Sequence, residues 1–89
     1  MVMMSIGSVV RLLAEKDPDR PAVTHEASTV TRRQLDLSSN RLARVYRDLG
    51  VEQDDFVTIA LPNGIAFYEA AIATWKLGAT PRSEEHTAE

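Results

Sequence analysis

The sequence predicts an α/β fold in the order helix, β-hairpin, helix, buried strand, helix. Three observations carry that reading. Apolar residues recur at helical spacing in Ser8–Lys16 and again between Thr31 and Leu49; Phe56–Leu61 is apolar at successive rather than alternate positions; and Ile65–Leu77 is apolar around nearly its whole circumference. The 89 residues allow one domain at most. A chain of this size buries only roughly 60–65% of the surface its unfolded form exposes, so its core is marginal. With 44% apolar and 26% charged residues, the composition is that of a chain that folds.

In the first helix Val9, Leu12 and Leu13 lie on one side and Arg11 and Glu15 on the other, with Ser8 placed to cap it. Asp17-Pro18 ends it, because proline disfavours helical geometry at the residue before it. Ala22–His25 reads as a short strand that Glu26-Ala27-Ser28 turns back into Thr29-Val30. Thr31 followed by Gln34 has the capping-box pattern, and the helix it starts runs to about Leu49, with Leu35, Leu42, Tyr46 and Leu49 marking its inward side. Gly50 stops it, since glycine takes the left-handed conformation at low cost. After the polar turn Glu52–Asp55, the run Phe56–Leu61 reads as a strand buried on both faces. Ile65–Leu77 is a helix stopped by Gly78, with Glu69, Thr74 and Lys76 as its polar positions. A helix apolar all round expects cover on every side, more than the other elements read here supply, so further chain or another subunit is expected against it.

The pattern breaks after Gly78-Ala79-Thr80-Pro81. Residues 82–89, Arg82-Ser83-Glu84-Glu85-His86-Thr87-Ala88-Glu89, are almost wholly polar where the rhythm calls for another buried strand. Arg82–Thr87 resembles the translated start of a widely used sequencing-library adapter, which usually continues with serine where Ala88 stands. The expectation is therefore two parts: residues 1–81 as a native segment and residues 82–89 as a foreign-looking tail.

The formal charge of −3, of which the tail contributes −2, gives no concentrated basic face for nucleic acid or an anionic membrane. Cysteine is absent, which removes disulfides and thiolate chemistry and fits a cytoplasmic location. The start lacks a charged n-region, and no stretch approaches the roughly 18–20 apolar residues of a membrane span.

Individual residues offer little chemistry. A phosphate cradle needs clustered glycines, whereas Gly7, Gly50, Gly64 and Gly78 are scattered, each with a turn or cap reading. Lys16 and Lys76 sit near helix ends, where interaction with the helix dipole accounts for them. His25 beside Glu26 reads as structural, and His86 lies in the tail. Asp54-Asp55 reads as a solvated turn with too few further oxygen ligands for a metal. Arg32, Arg33, Arg41, Arg44 and Arg47 share their helix with Asp36 and Asp48 and read as a solvated charged face, while Tyr68 and Trp75 read as core. The expected site content is none: no catalytic, cofactor-binding or metal-ligating residue.

Taken together, Pro18-Asp19-Arg20-Pro21-Ala22-Val23, Thr31-Arg32-Arg33-Gln34-Leu35, Ser39-Asn40-Arg41-Leu42-Ala43, Leu49-Gly50-Val51, Asp55-Phe56-Val57, Leu61-Pro62-Asn63 and Ala73-Thr74-Trp75-Lys76-Leu77-Gly78-Ala79 resemble, in order and spacing, the amino-terminal region of the AMP-forming acyl-CoA synthetases. Peptide-synthetase adenylation domains and luciferases look similar here, and Leu61-Pro62-Asn63 is closer to the acyl-CoA ligase version. The resemblance implies that the chain is an incomplete amino-terminal portion of the large domain of an acyl-adenylate-forming enzyme. Its parent would use ATP and magnesium to activate a carboxylic acid, by default a medium or long fatty acid, and pass the acyl group to coenzyme A. The family's phosphate loop, its nucleotide contacts and its adenylation lysine would all lie beyond Pro81. The chain alone is thus expected to be inactive, its partner being the missing remainder of the synthetase domain. The alternative is a self-standing α/β interaction module that docks through the apolar helix Ile65–Leu77.

Overall fold

The computed structural model describes residues 6–83. Its elements are α1 (Ile6–Lys16), β1 (Pro21–His25), β2 (Ser28–Thr31), α2 (Arg32–Asp48), β3 (Phe56–Ile59), α3 (Ile65–Lys76) and β4 (Thr80–Ser83). The expected sequence of helix, hairpin, helix, strand and helix is present, and β4 is an addition to it. Helix α1 begins at Ile6, so Ser8 lies inside its first turns instead of capping it.

Strands β1 and β2 pair antiparallel with Thr24 opposite Thr29, whose hydroxyls meet at 3.0 Å across the strands. The capping box of α2 forms as its sequence dictates: Gln34 N–H donates to Thr31 Oγ1 at 3.2 Å, and Thr31 N–H donates to Gln34 Oε1 at 2.9 Å. At the other end Gly50, at φ 104°, lets its own N–H reach Arg47 O and the Val51 N–H reach Tyr46 O, both at 3.0 Å. Leu35, Ser39 and Ala43 are buried, and Leu42 and Tyr46 are half-buried. Leu49 departs from the expected inward side. It is 77% exposed, because it is the C-cap residue, where the chain already turns away from the helix.

Strands β3 and β4 are parallel, with Phe56 opposite Thr80 and Ile59 opposite Ser83, and α3 joins them into a β–α–β unit. The unit crosses the boundary expected at Pro81, since Arg82 and Ser83 belong to β4, while residues 84–89 lie outside the described residues. Thr80 N–H donates to Asp55 O at 2.8 Å. Successive backbone groups alternate in direction, so the nitrogen of Pro81 faces the outer edge, where no ladder bond is lost. Strand β3 is described as far as Ile59, paired with Ser83, and Leu61 is exposed. Nor is β3 covered on both faces by the described residues. Ile59 is buried and Val57 half-buried, whereas Phe56 and Thr58 are exposed on the opposite face beside Thr80 and Arg82.

Helix α3 is the centre of the molecule. It packs on α2 most extensively, on α1, on both strands of the parallel sheet and on β1, which buries Ala70 through Thr74 without interruption. Ile59, Ala70 and Ala71 form the core cluster, with Leu42, Val57, Phe67 and Trp75 against it. The all-round apolar character of α3 is therefore satisfied largely by the described elements, which leave only its Ala66 and Tyr68 side exposed. Large apolar side chains left exposed among the described residues include Val9, Leu12 and Leu13 on α1, Leu37 and Val45 on α2, Phe56 on the outer face of β3 and Tyr68 on α3.

Candidate functional site

The most developed polar constellation is one that sequence reasoning missed. Lys76, in the last turn of α3, sends its ammonium into α2: Nζ donates to Asp36 Oδ1 at 2.7 Å, to Asp36 O at 3.1 Å and to Asn40 Oδ1 at 2.6 Å. An ammonium has three protons, and here each has its acceptor. The two charged side chains are only 11% and 14% exposed, unlike every other ion pair among the described residues. Asp36 and Asn40 are one helical turn apart and so share a face of α2. Helix α1 closes the third side. A Cβ on Gly7 would stand 2.7 Å from Lys76 Cγ and 2.9 Å from Lys76 Cα, so glycine is required where α1 crosses α3. Gly7, Ser8, Arg11, Asn40 and Lys76 line a cavity of about 230 Å³ at this junction.

Around this junction the hydroxyls are spent internally. The fully buried Ser39 donates to Leu35 O at 2.7 Å and the fully buried Thr74 donates to Ala70 O at 2.8 Å. Among the described residues no buried side-chain nitrogen or oxygen lacks a partner, and no group of three His, Asp or Glu stands together to hold a metal ion.

The residues weighed from the sequence fall apart in space. His25 is exposed, 3.8 Å from Glu26 Oε1, with its ring edge toward Gly64 at the start of α3. Asp55 builds a turn by accepting the Glu52 N–H through Oδ2 at 2.7 Å, and Asp54 N–H donates to Gly78 O at 2.9 Å. Of the arginines, Arg33 reaches Asp19 and Arg47 reaches Asp48 at the limit of an ion pair, Arg41 touches Ser38, and Arg32 donates to Leu13 O at 3.4 Å, tying α2 to α1. Trp75 packs on the core, whereas Tyr68 is 45% exposed and meets Phe67 edge-on. The four glycines sit in α1, after α2, before α3 and after α3, each in its own structural role. Lys16 ends α1 on the surface. Burial raises the Tyr46 phenol above its ordinary range. His86 lies outside the described residues.

A family model described as AMP-binding enzyme matches residues 10–82, more than half of the chain. The chain belongs to the AMP-binding enzyme family. The 2,3-dihydroxybenzoate-AMP ligase of Bacillus subtilis is 38% identical over 77 residues, which cover 86% of this chain and 14% of the ligase. Surfactin synthase subunit 1 of the same species is 35% identical over 66 residues, covering 74% of this chain and 2% of that subunit. Among solved structures, a Mycobacterium tuberculosis fatty acyl CoA synthetase superposes with a TM-score of 0.82 at 28% identity, over 89% of this chain and 16% of the synthetase. The chain thus spans a small part of the length of the AMP-binding relatives it matches. The junction of Lys76 with Asp36 and Asn40 lies wholly within the matched segment.

Proposed function

We propose that this chain is the amino-terminal α/β scaffold of an ATP-dependent acid–thiol ligase, an enzyme that joins a carboxylic acid to AMP and then transfers the acyl group to coenzyme A, with a fatty acid as the default substrate. The observation that carries the reading is the family match over residues 10–82, supported by the superposition on a fatty acyl CoA synthetase. In the first step the carboxylate attacks the α-phosphorus of ATP and pyrophosphate leaves; in the second the thiolate attacks the acyl carbonyl and AMP leaves. The described residues contribute support to this chemistry through the packing of α1, α2 and α3, and the largely shielded Lys76 ammonium is fully engaged by Asp36 and Asn40.

The 38% identity with an AMP ligase named for 2,3-dihydroxybenzoate favours a second reading, an aryl acid as substrate. Carboxylate-dependent ATP–pyrophosphate exchange by the full-length enzyme, run with octanoate, palmitate and 2,3-dihydroxybenzoate and followed by thioester detection, separates the two. Exchange driven by the aliphatic acids with coenzyme A thioester formed supports the fatty-acid reading, and exchange confined to the aryl acid replaces it. The 89-residue chain alone is expected to give no exchange, and turnover by it at enzyme-like rates would overturn its assignment as scaffold.

A further inference from the structure

We propose that Asn63 is a site of spontaneous modification: its side-chain carboxamide cyclises onto the backbone nitrogen of Gly64 and loses ammonia, and hydrolysis then places a carboxylate before α3. The fold itself demands the glycine. Gly64 is the N-cap of α3 at φ 159° and ψ −176°, a backbone region that essentially only glycine occupies. Where a Cβ would stand, the neighbours within 4 Å are His25 Cδ2 at 3.7 Å and His25 Nε2 at 3.9 Å, both atoms of an exposed ring, so that side of Gly64 is otherwise open. Asn63 is exposed as well. Among the described residues neither its carboxamide nor the Gly64 N–H has a hydrogen-bond partner, so nothing has to be broken before the two groups meet.

The chemistry consumes only water. Gly64 N gives up its proton and bonds to Asn63 Cγ, the bond from Cγ to Nδ2 breaks, and Nδ2 departs with that proton as ammonia. Water then opens the cyclic imide. Addition at Cγ returns the normal backbone with an aspartate side chain, whereas addition at the main-chain carbonyl carbon leaves an isoaspartate that lengthens the link from β3 to α3 by a methylene. Helix α3 has no acidic residue in its first turn and no side-chain cap, so a carboxylate at this position meets the positive end of the helix dipole with no competitor. Asn40, the other asparagine of the chain, is the contrast. It lies inside α2, is followed by Arg41, and accepts from Lys76 Nζ through Oδ1 at 2.6 Å. That charge-assisted bond must break before Asn40 can cyclise, which slows it by about tenfold or more.

The test incubates the complete 89-residue chain in mildly alkaline buffer at physiological temperature, without and with urea, and follows both asparagines by peptide mapping and mass spectrometry. Labelling by an isoaspartate-specific methyltransferase is the second readout. Asn63 is expected to convert without urea about as fast as with it, giving aspartate and isoaspartate, while Asn40 lags by about tenfold or more without urea. Asn63→Gln, whose longer side chain closes a ring far less readily, is expected to keep its amide. An Asn63 that keeps its amide without urea and loses it in urea, or that converts no faster than Asn40, would overturn the site. Freshly purified Asn63→Asp, which carries the normal-backbone product, is expected to unfold at a higher urea midpoint than the unsubstituted chain. An unchanged or lower midpoint would overturn the favourable placing of the carboxylate before α3.

Discussion

At the residue scale the molecule turns on Lys76. Taking an ammonium and a carboxylate out of water costs several kcal/mol each, and the cost is met here by geometry: two oxygens of Asp36 and one of Asn40 receive the three protons. Removing one partner leaves the other buried and uncompensated. Lys76→Met is therefore expected to lose ~3–5 kcal/mol, close to the whole stability of a domain at the lower end of the ordinary range. The double variant Lys76→Met/Asp36→Leu should recover most of that loss, because both charges go together. A double-mutant cycle by urea denaturation checks this, and single losses below about 1 kcal/mol that simply add would show the pair to behave as a surface ion pair. Nothing in the local sequence announces this contact. A lysine in the last turn of a helix is accounted for by the helix dipole, and its acceptors lie 36 and 40 residues away.

At the element scale α2 shows what local sequence decides. Thr31 and Gln34 satisfy each other's backbone donors, and Arg32 N–H and Arg33 N–H donate to Arg20 O and Pro18 O, so the helix start is tied to the hairpin approach as well as to itself. Thr31→Ala is expected to cost about 1 kcal/mol by removing the cap acceptor, seen as a lowered urea midpoint with unchanged m-value. A loss under a few tenths would mean that the tertiary bonds alone hold the first turn. The three helices, the hairpin and β3 were legible because periodicity, caps and turn residues are local signals. Strand β4 was not, because Thr80-Pro81-Arg82-Ser83 has neither alternation nor an apolar run. Its place is set from outside, by α3 returning the chain alongside β3 and by the Thr80 N–H meeting Asp55 O. The apolar run Phe56–Leu61 predicts a strand buried on both faces, yet among the described residues only the Val57–Ile59 face has cover. The helix α3, conversely, finds among α1, α2 and the sheet the neighbours that its composition demands.

At the scale of the whole molecule, closed interior and open exterior make opposite predictions for two residues of the same strand. Ile59 is 4% exposed in the core cluster, and Ile59→Ala should cost about 2–5 kcal/mol through lost transfer energy and the cavity left behind. Phe56, 63% exposed three residues earlier, contributes to stability chiefly through its contact with Arg82, which for a solvent-exposed cation–aromatic pair is worth about 0.5–1 kcal/mol. Phe56→Ser should therefore lower the unfolding midpoint only slightly, by no more than Thr31→Ala and far less than Ile59→Ala. What it should change is association, since Phe56 is the large apolar side chain on the open sheet face. Sedimentation velocity over a concentration series, with binding of an apolar dye as a second readout, is expected to show self-association and dye uptake by the unsubstituted chain and a clear reduction of both in Phe56→Ser. If the substitution instead destabilises as much as Ile59→Ala, the face is covered within the chain in solution; if it changes neither stability nor association, Phe56 is ordinary surface and any self-association must be sought along α1 and α2, at Val9, Leu12 and Val45.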